Sequence, residues 1–363
     1  MFRKSARTVI HLDDAAAIRA LDASGLLTHT AAAHQYLIQA WRVGAALPLP
    51  DQYRFIERIV IAAGGVAATT AELFAALFAD SLNVPVCVVR GYDLPAHADG
   101  QATLCIVADP LGDSEEGYAA LELADARGTK LLVLTGGGPL QGYAERSGAA
   151  LWAYPANAPL QRSLYWQIGL YAALLNRLGL VRDPADQVAE AEHVLREAAA
   201  AHAPEKPLVQ NAAKRLAGQM IARLPLIYGS GFMVPVAAHW RDQIMLTAKA
   251  FAVADSLPEL NHTTINGLAM LPESIRLATV CLAAPGHDHP RNVVRQELAR
   301  RMFMAEGIVP DTVTGSGESP LAQALSAALY GDFVSIYLAA LYGQDPTPTP
   351  ALDEVKRRLA ATR

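Results

Sequence analysis

Apolar residues recur at three- and four-residue intervals from Asp14 to Leu47, among many alanines. This spacing predicts a helical lead-in, ended by Pro48 and Pro50. Beyond it, short unbroken apolar runs alternate with helix-like stretches. Arg58 to Ala62 reads as a strand closed by Gly64-Gly65, with a helix from Ala67 to Phe78 after it. Val84 to Val89, Thr103 to Ala108 and Lys130 to Thr135 read as further strands, and Gly136-Gly137-Gly138-Pro139 closes the last. Strands without polar alternation are covered on both faces, which points to an α/β fold with a parallel sheet and crossover helices.

A helix is predicted from Leu164 to Leu178, stopped by Gly179. Asp183 to Pro207 is charged and alanine-rich with prolines at its ends, and reads as a connector. The boundary expected there divides the chain into a first lobe over 1–205, with its helical lead-in, and a second over 206–363, with carboxyl-terminal helices. The second half restarts the theme: a strand from Leu224 to Tyr228, a Gly229-Ser230-Gly231 turn and a helix from Val234 to Phe251. Ile275 to Ala283 and Val309 to Thr314 are expected strands, and Leu321 to Tyr342 a long apolar helix that Gly315-Ser316-Gly317-Glu318 would cap. Two halves that open alike favour two similar lobes.

Composition narrows the function classes. At 363 residues, 52% hydrophobic and 18% charged, the chain can fill two ordinary cores and is not disordered. A net charge of −5 without a Lys/Arg block argues against a nucleic-acid partner. Apolar runs such as Ile59 to Ala68 reach about ten residues against the roughly 18 needed to span a bilayer, so no membrane role is expected. Arg3, Lys4 and Arg7 are followed by His11-Leu12-Asp13-Asp14 rather than a signal-peptide apolar run. Cys87, Cys105 and Cys281 lie in apolar segments without CxxC spacing, as free thiols in a reducing cytoplasm would. His287-Asp288-His289 has no further matched ligand, and the glycine turns do not form a dinucleotide fingerprint, so neither metal nor cofactor is expected.

Several runs in the second half carry a resemblance. They are PLIYGSG from Pro225, HWRDQ from His239, the Ala248-Lys249 pair and LPELNH from Leu257. HPR from His289, YGDFVSIYLAALYG from Tyr330 and DPTP from Asp345 extend it. Together they resemble the double sugar-isomerase-domain (SIS) family of bifunctional phosphoglucose/phosphomannose isomerases. The first half is similar more loosely, through its strand-GG-helix opening and VPVCVVRGYDLP from Val84. The resemblance implies two flavodoxin-like SIS lobes, each a parallel sheet flanked by helices, in a homodimer with active sites at the subunit boundary. It also implies aldose–ketose isomerisation of sugar phosphates. That chemistry needs a phosphate cradle, a base, a cation and a ring-opening acid.

Three of these four parts are altered. In the implied cradle, Gly112, Ser114, Glu115 and Glu116 agree with the family, but Asp109 and Leu111 stand where it has serines. A carboxylate repels a phosphate dianion and leucine offers no hydrogen bond. The loop also reads as a plain βα turn capped by Asp113 or Ser114. Gly64-Gly65 continues with Val66 in place of a serine. The family's base lies sixteen residues before the LPELNH histidine, which here is Leu246; Asp242, one turn earlier, is the surrogate, or else an exposed helix aspartate. Leu160 replaces the arginine of the family's PR pair in Asn157-Ala158-Pro159-Leu160-Gln161-Arg162, leaving Arg162 as candidate cation or a solvent-facing or salt-bridged residue. His262 is retained for ring opening, or else joins Glu259 and Asn261 in a loop network at the dimer contact. Gly64, Gly65, Gly112, Asp113, Ser114 and Glu259 complete the candidate ligand-binding set for a sugar or sugar phosphate.

These substitutions lead to the expectation of an isomerase-family protein with weak or absent activity on hexose 6-phosphates. A non-catalytic protein binding a carbohydrate derivative or another protein on the same fold is the alternative. A third reading is an enzyme for another, unphosphorylated substrate that uses Asp109, Asp113, Glu259 and Arg162.

Overall fold

The structure is a computed structural model that describes residues 10–155 and 159–362. Arg3, Lys4, Arg7 and the Asn157-Ala158 pair lie outside the described residues. The lead-in is three helices rather than one: α1 (Ala15–Leu21), α2 (Leu26–Ala31) and α3 (Ala33–Gly44). Buried Asp22 breaks the run, because its carboxylate accepts the N–H groups of Leu26 at 2.8 Å and Leu27 at 2.7 Å. Those two groups lie in the first turn of α2, where no helical carbonyl can reach them.

The first lobe then alternates β1 (Arg58–Ala63), α4 (Gly65–Phe78), β2 (Val86–Val89), β3 (Thr103–Asp109), α5 (Glu115–Ala126), β4 (Lys130–Thr135), α6 (Gly138–Ser147) and β5 (Ala150–Ala153). The five strands are parallel in the order β2-β1-β3-β4-β5. α7 (Ser163–Leu178) follows and ends at Gly179 in the left-handed conformation. α8 (Ala185–Ala201) leads to the second lobe, which comprises α9 (Ala212–Met220), β6 (Leu224–Gly229), α10 (Met233–Gln243), β7 (Val253–Ser256), α11 (Thr264–Gly267), β8 (Leu277–Ala283), α12 (Pro290–Ala305), β9 (Asp311–Thr314), α13 (Pro320–Leu341) and α14 (Pro350–Ala361). Its parallel sheet runs β7-β6-β8-β9, the same winding as β2-β1-β3-β4. Two like α/β lobes, each with a parallel sheet between helices, are therefore present.

The segment read as a connector is a packed helix. α8 buries Val188, Ala191, Leu195 and Ala199 against α3 and α13. That stripe has helical spacing, but its abundance of charge on the outer face masks it. Another correction concerns α13, whose 22 residues are long and apolar enough to cross a membrane by length and composition. Its apolar surface is spent inside the protein, since 89% of that stretch is buried. The helix cap predicted at Gly315 to Glu318 falls one residue later, where Ser319 Oγ accepts the Ala322 N–H at 3.2 Å.

The largest core lies between the two sheets. Ile59, Ile61, Ile106 and Leu134 from one side meet Ile227, Val280 and Leu282 from the other through α4, α7, α10 and α13. Alternate strand residues such as Val60, Cys105 and Val133 fill a second core under α5 and α6. Unbroken apolar strands are required by this burial on both faces. At the centre, Gly331 of α13 makes the notch that receives the Trp240 ring of α10; a Cβ there would lie 2.4 Å from the indole. Trp240 Nε1 donates to the Ala327 carbonyl at 2.8 Å, fixing the two helices in register.

His202, which follows α8, stands edge-on to Tyr330 of α13 with ring centroids 4.9 Å apart. Burial pushes its imidazole down from 6.5 to about 4. Between those values the unfolded chain binds a proton that the folded chain refuses. The contribution of the neutral ring is thus complete above pH 6.5 and is lost as the pH falls toward 4. We expect a His202→Leu variant to lose less thermal stability than the parent across this window, measured as Tm against pH. Parallel curves for the two proteins would refute it.

Candidate functional site

The carboxyl ends of β1, β3 and β4 gather three turns, as ligand crevices of open α/β sheets do. After β1, Gly64 is extended and Gly65 sits at φ +51°, starting α4 with open space where a side chain would project. After β3, the Asp109 carboxylate turns back on its own loop. Its Oδ1 accepts the Leu111 N–H at 3.0 Å and its Oδ2 the Ser114 N–H at 2.9 Å. Ser114 Oγ then caps α5 by accepting the Gly117 N–H at 3.2 Å. Gly112 is forced: at φ +71°, a Cβ would lie 1.9 Å from the Gly137 carbonyl oxygen. Gly136 to Gly138 thus serve as the close-packing wall of this loop. Two backbone donors of this βα turn are consumed by a carboxylate of the chain itself.

α10 brings a second carboxylate to this region by packing on α4. Asp242 Oδ2 accepts from Thr69 Oγ1 of α4 at 2.8 Å, and Oδ1 is held by Arg241 at 2.7 Å. The Asp242 side chain is only 15% exposed, so it is a bridge between lobes and not an exposed helix aspartate. The expected straight helix to Phe251 ends at Gln243. Ile244–Ala248 is a π-helical turn, and Leu246 lies in it, partly buried. The one-turn, same-face relation between Asp242 and Leu246 assumed a 3.6-residue period that the wider turn does not keep.

Arg162 is not poised to swing. Its side chain is wholly buried, with Nε donating to Thr30 Oγ1 at 2.7 Å and Nη1 to Gln243 Oε1 at 2.8 Å and the Gln161 carbonyl at 2.9 Å. Nη1 also lies 3.3 Å from Asp332 Oδ1, whose side chain is equally buried. Asp332 further accepts from Tyr165 at 2.6 Å and His239 Nε2 at 2.9 Å. Burial, with the Asp332 charge, pushes the Tyr165 phenol well up, so it stays a donor. The cation is thereby committed to joining α2, α7, α10 and α13.

His262 and Glu259 lie elsewhere, at an exposed short helix of Glu259–Asn261 anchored by buried Leu260. Among the described residues neither side chain has a hydrogen bond or ion pair, and nothing joins them to the first-lobe loops. Asp288 instead accepts from Ser230 Oγ and from the Ala284 N–H at 2.8 Å, while His289 caps α12 and His287 meets the Glu318 carbonyl. Among the described residues no group of three or more His, Cys, Asp or Glu is arranged to hold a metal.

One cation was missed by sequence reasoning. Lys356 of α14 reaches back to Asp113 on the β3 loop at 2.6 Å. The basic run at Lys356-Arg357-Arg358 was the available signal, but only the fold brings it across to the first lobe.

A two-lobed parallel α/β fold with βα turns converging at strand ends defines the class of SIS-domain sugar isomerases, and the comparisons agree. Residues 209–359 match the family described as bacterial phospho-glucose isomerase C-terminal SIS domain. The bifunctional phosphoglucose/phosphomannose isomerase of Caldicellulosiruptor bescii is 32% identical over 89% of this chain and 95% of its own length. The glucose-6-phosphate isomerase like protein of Thermus thermophilus superposes with a TM-score of 0.62 at 20% identity, covering 96% of this chain and 99% of that one. The C-terminal domain of glucosamine-fructose-6-phosphate aminotransferase from Francisella tularensis gives 0.68 at 11%, covering 89% and 97%. This chain belongs to the bifunctional phosphoglucose/phosphomannose isomerase family.

Removing one member of the buried network leaves the others charged or polar without partners. Asp332→Ala is expected to cost about 3–5 kcal/mol in equilibrium urea unfolding, because it strands the Arg162 guanidinium. A loss below about 1 kcal/mol would mean that the pair contributes little beyond packing.

Proposed function

We propose that this member of the isomerase family turns over hexose 6-phosphates weakly or not at all, and that its cleft binds a sugar or sugar derivative. The observation that carries this is Asp109, whose carboxylate takes the Leu111 and Ser114 N–H groups of the cradle. An incoming phosphate would have to displace it against charge repulsion. Leu246, at the position implied for the base, cannot accept a proton. The exposed His262, with no side-chain partner among the described residues, supports a homodimer in which it meets a neighbouring subunit. The free, buried Cys105 and Cys281 thiols, pushed up to about 12 by burial, suit a reducing cytoplasm.

A second reading, an enzyme with relocated groups acting on an unphosphorylated sugar, is favoured by the positioned Asp242 bridging to Thr69. Neutral sugars or sugar acids that raise Tm where phosphosugars do not would select it.

A coupled assay of the purified chain with fructose 6-phosphate and mannose 6-phosphate tests the main proposal. Rates on the order of a hundred- to ten-thousand-fold below an enzyme retaining its base are expected. Leu246→Glu alone should restore nothing, since Asp109 still fills the loop. Turnover typical of an ordinary isomerase, or rescue by that single change, would overturn the proposal.

A further inference from the structure

The two non-glycine residues with positive φ among the described residues are Ala222, at 56°, and Lys249, at 55°. They are far apart in sequence, yet both line one cavity of about 400 Å³ at the amino-terminal edge of the second sheet. It lies on the same side of the molecule as the first-lobe strand ends, because α10 ends here just after Asp242 meets Thr69 at the start of α4. Backbone strain of this kind persists where the surroundings over-determine it, and it clusters at binding sites. The π-helical turn that ends at Lys249 supplies part of the same wall.

The cavity's charge is one-sided. Arg223 and Arg276 line it, each one step before the first paired residues of adjacent parallel strands, Leu224 and Leu277. Strand neighbours lie about 4.8 Å apart, and like charges placed side by side in a sheet repel. Neither guanidinium has a hydrogen bond or ion pair among the described residues, and no acidic side chain lines the cavity. Lys249 stands behind them, pushed down to about 8 by burial, its ammonium donating to the carbonyls of Thr247, Asp345 and Pro346 at 2.8–3.0 Å. Phe251 closes one side with a ring that is 71% exposed.

We propose that this cavity binds a small phosphorylated ligand with a planar ring, the chemistry of a mononucleotide. Its phosphate sits between Arg223 and Arg276 and its base against Phe251. Guanidinium groups match phosphate bidentately, an aromatic face accepts any base, and the volume suits a ligand of this size. The site adjoins the π-helical turn that carries Leu246, but its proposed ligand contacts, Arg223, Arg276 and Phe251, are none of the cleft residues named above.

Isothermal titration calorimetry of the full chain with AMP tests it, with adenosine and inorganic phosphate as partial probes. Saturable AMP binding is expected, with adenosine and phosphate each far weaker. Phe251→Ala and Arg276→Ala should each weaken AMP by about tenfold or more. Both side chains are exposed, and unchanged circular-dichroism melts would show that the variants fold. No saturable binding up to about 10 mM AMP, or binding that ignores both substitutions, overturns the proposal. So does loss of AMP binding in Lys356→Ala, which would place the nucleotide in the first-lobe cleft. Dissociation of an oligomer by Phe251→Ala also overturns it, since the cavity would then be covered by a second copy.

Discussion

The Arg162–Asp332 pair is the constraint from which the rest of the geometry follows. Two wholly buried, opposite charges 3.3 Å apart are tolerable only when their remaining hydrogen-bonding capacity is met, and Thr30, Gln243, Tyr165 and His239 meet most of it. Those partners come from α2, α7 and α10, with Asp332 itself on α13, so the pair holds elements of both lobes in one arrangement. α10 matters most. With its buried end pinned through Gln243 and its Trp240 ring seated in the Gly331 notch, it cannot slide on α4. Asp242 is consequently delivered to Thr69, and the chain beyond Gln243 must widen into the π-helical turn that carries Leu246 and ends in Lys249.

Much of this architecture was legible in the sequence. Lys130 to Thr135 and Thr103 to Ala108 announced themselves as strands because burial on both faces leaves no polar alternation to confuse with a helix. β5 and β7 were not announced because ALWA and VADS hold few β-branched residues, whereas β2 and β9, equally short edge strands, show theirs in VCVV and DTVT. α8 was hidden by its solvent-facing charges. The family motifs located Asp109, Arg162, Asp242 and His262, but not what those side chains hold. A charged residue near a helix start reads the same whether it faces water or a buried carboxylate twelve residues into another helix. Arg162 shows the difference, since Asp332 lies far along the chain and only tertiary packing joins them. Lys356 was silent for the same reason.

The two lobes also share a chemical device that no residue pattern displays. In the first, Asp109 accepts the backbone N–H groups of Leu111 and Ser114 just past β3. In the second, Asp288 accepts the N–H of Ala284 just past β8, the strand in the corresponding place, and takes Ser230 Oγ from the turn after β6. Both carboxylates answer the same problem. A βα turn at the end of a parallel strand exposes backbone donors that no neighbouring strand can satisfy, and an anion is the natural partner. A loop with neutral hydroxyl groups leaves those donors available to a phosphate. A loop with an aspartate satisfies them internally and becomes rigid without a ligand. An aspartate at 109 therefore does more than set local charge: it completes its own turn. In the second lobe the same completion secures the start of α12 through Gln296, which donates to Asp288 at 3.1 Å. Rigidity at the two strand ends is thus built from the chain's own acids.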